Sequence, residues 1–136
     1  MRIAVIAATI LLSSAAPILA ATLDCPAGSE RRIAAELYFG RNIGETLGVT
    51  EEAWARFVDE DVTPRFPNGL SVFEIKGQWR DTASGRIVRE PGKLLKLLIA
   101  DDAPSQTKVA EIVDIYKKRH QQQSVLAATA HVCAAF

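Results

Sequence analysis

The only two cysteines, Cys25 and Cys133, stand near opposite ends of the chain that follows an apolar leader, and their placement limits the fold more than any other feature. The leader itself runs from Met1 to Ala20. Arg2 supplies a positive start, Ile3 to Leu12 an apolar run, and Ser13 to Ala20 a small-residue stretch with a plausible cleavage point at Ala20 and Ala21. This reads as a bacterial export signal, with a retained anchor as the rival, although the run is shorter than the roughly 20 residues a membrane span needs. Export places residues 21–136 in the periplasm or medium, where an even cysteine pair without metal-ligand spacing is most simply a disulfide. A lipid-modified Cys25 is the competing assignment, but Ala21, Thr22, Leu23 and Asp24 do not form the small-residue box that precedes such a cysteine.

Residues 21–136 suit a single domain with one core. Sixteen Lys and Arg balance sixteen Asp and Glu, and removing Arg2 leaves one acidic residue in excess. That balance gives no attraction for nucleic acid, and no stable membrane insertion is expected once the leader is removed.

Periodicity gives six elements. Ile33 to Arg41 suits a first strand ending at Gly40. Thr50 can cap a helix with Glu51 and Glu52 in its first turn and Trp54, Phe57, Val58 and Val62 on one face, stopped near Pro64. From Leu70, the set Phe73, Ile75, Gly77 and Trp79 alternates with Glu74, Lys76, Gln78 and Arg80, the period of a half-buried strand with its apolar set in the core. After a turn at Asp81 to Gly85, Arg86 to Ala100 returns as its partner, with a bulge or edge kink expected at Pro91 and Gly92. Ser105 can cap a second helix with Val109, Ile112, Val113 and Tyr116 inward and Lys117 to Arg119 at its end. Val125 to Cys133 closes the chain as a strand.

The order is the ferredoxin-like βαββαβ arrangement, an α+β two-layer sandwich with an antiparallel sheet and two helices on one face. In it the last strand lies antiparallel beside the first. The end of the last strand, carrying Cys133, then meets the segment that enters the first, carrying Cys25, so fold and disulfide support one another.

The segments Tyr38-Phe39-Gly40-Arg41, Val62-Thr63-Pro64-Arg65-Phe66-Pro67-Asn68-Gly69-Leu70, Gly77-Gln78-Trp79-Arg80 and Gly85-Arg86-Ile87-Val88-Arg89-Glu90, with Tyr116-Lys117 and Gln123-Ser124-Val125-Leu126, are distinctive. Together they resemble the bacterial family called domain of unknown function 3574. The resemblance covers nearly all of the chain after the leader and implies an exported one-domain protein, with no chemistry attached. Members of that family often have a longer loop after the first strand than Asn42 to Gly48.

The candidate site lies on the hairpin. Gln78 and Arg80 share the polar face of one strand, Arg89, Glu90 and Lys93 come from its partner, and Arg41 at the end of the first strand can join them. Several guanidinium groups on rigid strands can hold a carboxylate or phosphate in a bidentate grip. The bland alternative is a solvated face of cross-strand ion pairs such as Arg80 with Glu90, each worth at most about 1 kcal/mol. Tyr38 shares parity with Glu36 and Gly40, so it faces the polar side, where its phenol can bond a ligand. Trp54 and Trp79 are assigned to the core and His120 to the surface. No metal site, cofactor motif or nucleophile elbow is legible.

Three functions remain open: a binding module for a small anionic ligand or acidic partner on the open sheet face, an enzyme holding an anionic substrate with Arg41, Arg80 and Arg89 and using Glu90 or Tyr38 as acid or base, and a homodimer paired through the sheet.

Overall fold

The computed structural model describes residues 24–136, so the expected leader lies outside the described residues. Strand β1 (Glu30–Gly40) alternates with strict parity: Ile33, Ala35, Leu37 and Phe39 are buried, while Ala34, Glu36 and Tyr38 face the other way. A two-residue ribbon, β2 (Asn42–Ile43) with β3 (Thr46–Leu47), fills the loop that follows.

Helix α1 (Glu51–Phe57) begins where expected, with the Thr50 hydroxyl accepting from the Ala53 amide at 3.2 Å. It continues as one wide π-turn, Val58–Val62, and ends ahead of Pro64. Strands β4 (Ser71–Arg80) and β5 (Ile87–Ala100) form the expected hairpin. Helix α2 (Ala103–Arg119) starts three residues earlier than the sequence suggests, because Asp102 rather than Ser105 is the cap; its carboxylate accepts from the Ser105 amide at 2.7 Å. Strand β6 (Leu126–Ala134) completes a four-stranded antiparallel sheet in the order β4-β5-β1-β6. The fold is the α+β ferredoxin-like arrangement.

Both helices lie on one face of this sheet. Trp54 and Phe57 from α1 and Val109, Ile112 and Tyr116 from α2 meet the inward residues of β1 and β5 in one core. Phe39 sits at its centre, with Trp54, Phe57 and Tyr116 packed edge-on at centroid distances of 5.3, 5.6 and 4.6 Å. Contacts of this geometry each add about 0.5–1.5 kcal/mol beyond burial. The Tyr116 phenol donates to the Gly40 carbonyl at 2.8 Å, which satisfies its one polar atom, and burial raises its pKa.

Pro91 and Gly92 make no bulge. β5 runs through them and stays paired with β4, Lys76 opposite Pro91 and Ile75 opposite Gly92. Glycine is needed for a different reason: a Cβ at Gly92 would sit 2.9 Å from the Phe39 carbonyl oxygen. Arg31 stands opposite Cys133 across β1 and β6, and Cys25 and Cys133 form the expected disulfide with Cα atoms 5.4 Å apart.

Candidate functional site

Register decides which residues share a face. Because Phe39 opposes Lys93 and Lys93 opposes Glu74, the helix-side face carries Glu74, Lys76, Gln78 and Arg80 from β4 and Arg89 and Lys93 from β5. The open face carries Phe73, Ile75, Gly77 and Trp79, together with Glu90, Leu94 and Tyr38. The expected apolar set of β4 therefore points away from the helices. Trp79 is 42% exposed rather than core, whereas Trp54 is 5% exposed as expected. Alternation groups residues by face without saying which face meets the helices, and β4 is an edge strand beyond their reach.

The proposed cationic cluster divides into three. Arg41 and Lys93 are buried where β1, β5 and the start of α1 meet, at 5% and 3% exposure. The Arg41 Nε donates to the Val49 carbonyl at 2.8 Å, and its guanidinium pairs with Glu51. The Lys93 ammonium donates to Glu51 at 2.7 Å and also pairs with Glu74. Burial pulls the Lys93 ammonium down, but the bonds to Glu51 and Glu74 outweigh it and hold the group above the usual lysine range. Two cations and two carboxylates leave no net charge for a ligand. Arg41 and Lys93 are therefore structural, a correction to their assignment as anion ligands; Glu51 comes from another element, and no sequence spacing links it to Lys93.

Tyr38 and Glu90 are on the opposite face. The Tyr38 phenol donates to Glu36 at 2.8 Å. Glu90 accepts from the Trp79 indole at 2.9 Å and the Asn42 amide at 3.2 Å, lying against Gly40, where a Cβ would come within 2.7 Å of its oxygen. Neither can serve a substrate held by Arg80 and Arg89 across the sheet, so the acid–base pairing of the enzymatic reading loses its geometry. Glu90 also does not pair with Arg80. Beside Glu90 is a cleft of about 230 Å³ lined by Glu45, Trp79, Asp81, Arg86, Glu90 and Gln122. Arg86 pairs with Glu45, so Asp81 and Glu90 leave the cleft acidic and unsuited to an anion.

What remains together is Gln78, Arg80 and Arg89, with Lys76 added. Gln78 stands directly opposite Arg89, and Lys76 and Arg80 flank Gln78 on the same face at the strand repeat of about 6.6 Å. All four are exposed, and among the described residues Lys76, Arg80 and Arg89 have no carboxylate within ion-pair distance. The nearest same-face acid on β4, Glu74, is occupied by Lys93. Lys76 was legible from its parity with Gln78 and Arg80.

His120 is also displaced from its expected surface position. It is 7% exposed, packed against Tyr116 and Phe57, and its Nε2 has no hydrogen-bond partner among the described residues.

These features define a small two-layer α+β protein of ferredoxin-like fold. Residues 34–136 match the family model described as "Protein of unknown function (DUF3574)", and the chain belongs to that family. No curated protein matches the chain. A solved phage SAM lyase in complex with S-methyl-5'-thioadenosine is similar at a TM-score of 0.62 and 14% identity, over 86% of this chain and 97% of that one. CutA from Synechococcus elongatus PCC7942, complexed with Bis-Tris, is similar at 0.52 and 10% identity, over 79% and 87%. At such identities the likeness is one of fold alone.

Proposed function

We propose that the protein is an exported binding module that holds an acidic partner on the helix-side face of the β4–β5 hairpin. The observation that carries this is the group of Lys76, Arg80 and Arg89 around Gln78, three cations with no carboxylate within ion-pair distance among the described residues, in a chain whose charges balance overall. With Lys76 and Arg80 two strand repeats apart, about 13 Å, and Arg89 on the neighbouring strand between them, the cations suit successive carboxylates or phosphates of an extended acidic segment better than a single enclosed small anion. Arg80 and Arg89 supply planar bidentate forks, Lys76 a point charge, and Gln78 a neutral donor and acceptor between them. Export is supported by the apolar leader and by the disulfide, and no helix among the described residues is long and apolar enough to cross a membrane.

Titrating fluorescent polyglutamate into the oxidised protein at low salt tests the site. Binding is expected to weaken steeply with added salt. Arg80→Ala and Arg89→Ala should each cost about tenfold in affinity, roughly 1.4 kcal/mol, while stability stays within about 0.5 kcal/mol. Binding unchanged in the double variant would move the site elsewhere. Cell fractionation that finds the protein in the cytoplasm with two reduced thiols would defeat the export half.

A further inference from the structure

We infer that the open face of the sheet is covered by a second copy of this chain. Phe73 and Leu98 are 47% and 39% exposed there, Trp79 is 42% exposed, and Leu126 is 62% exposed at one edge. Ile75, Leu94 and Val132 continue the patch, and Ala128 and Ala130 keep β6 low and smooth. An apolar surface this continuous on a sheet face marks an interface.

The charges of the face favour a copy of itself as the occupant. Glu36 pairs with Lys96 at 2.9 Å and accepts from Tyr38, Arg32 pairs with Glu30, and Glu90 is bonded by Trp79 and Asn42. Glu36 with Lys96 and Arg32 with Glu30 are thus neutralised within the face, and the Glu90 carboxylate keeps two neutral donors, so covering the face asks for little complementary charge from outside. A two-fold axis requires such self-complementarity. The area is also sufficient: four strands about 4.8 Å apart and about 30 Å long present roughly 600 Å² per copy, about 1,200 Å² in total, the lower end of specific interfaces. Lys76, Arg80 and Arg89 point away from this face, so pairing neither buries them nor sets them against each other.

The test is the solution mass of the oxidised protein, expressed with its own leader, by light scattering and sedimentation between about 1 and 100 µM. A dimer is expected. Phe73→Asp and Leu98→Asp should each raise the dissociation constant at least tenfold with unchanged circular dichroism, whereas Val72→Asp, on the same strand and facing the other way, should not. The unaltered chain gives an independent reading: on dilution Trp79 should shift to redder emission and become more accessible to acrylamide, against a constant signal from buried Trp54. A monomer at all concentrations, a trimer, a dimer untouched by both open-face substitutions, or no change in Trp79 on dilution would overturn the inference.

Discussion

His120 has a hydrophobic environment and a free ring nitrogen, which makes its protonation costly. Burial lowers its pKa, Arg119 and Arg56 act in the same direction, and Asp61 opposes them. The unfolded chain, with a histidine near about 6.5, then binds the proton more readily than the folded one. The His120 contribution should be complete above about pH 6.5 and decline as pH falls below that value toward the lowered folded pKa. Urea midpoints recorded from pH 8 to 5 should show this decline in the native chain and a smaller one in His120→Leu; identical profiles would remove His120 as the cause. The two tryptophans teach a related lesson at the same scale. Both sit in apolar periodic sets, yet Trp54 is core and Trp79 is half open, because a periodic pattern names a shared face and leaves its neighbours undetermined.

Four elements meet at the ion cluster, and none of them alone predicts it. Lys93 occupies a core-parity position of β5, next in the alternation to Leu95 and Leu97, and is tolerated there because Glu51 of α1 and Glu74 of β4 close over it. Removing both carboxylates as Glu51→Gln with Glu74→Gln leaves two buried cations uncompensated and should lower the urea midpoint clearly. Adding Lys93→Met to that pair should recover much of the loss, since it deletes one stranded charge. No recovery would mean that the carboxylates act through something other than Lys93. The Glu51 carboxyl is held below the usual range chiefly by Lys93, with burial opposing and Arg41 assisting. Its stabilisation is therefore present above the unfolded value of about 4.3 and lost as pH drops through the lowered folded pKa.

At the scale of the whole molecule the disulfide joins the segment before the first strand to the last strand, across a separation of 108 residues. In the chain-entropy account a loop of about 100 residues is worth about 4–5 kcal/mol, less any strain. Cys133→Ser should consequently lower the melting temperature by well over 5 °C, given about 4–8 °C per kcal/mol for a domain near this size. A shift of only a degree or two in calorimetry would show that the sheet pairing of β6 with β1 holds the ends together unaided.

The order of the main elements, the Thr50 cap, the hairpin turn and the cysteine pairing were legible in the chain, because each depends on local geometry or on a topology with few alternatives. The second helix, by contrast, took Asp102 in place of the expected Ser105 as its cap. Thr50, Gly85 and the alternation in β1 and β4 needed no tertiary information. Which face of β4 met the helices, why Gly92 must be glycine, and that Glu51 would neutralise Lys93 and Arg41 were settled only by packing. These depend on contacts between residues far apart in sequence. The cationic row survived in altered form for the same reason: Gln78, Arg80 and Arg89 are neighbours by strand period and register, but whether Arg41, Lys93, Tyr38 and Glu90 joined them depended on the layer that the folded sheet turned toward its helices.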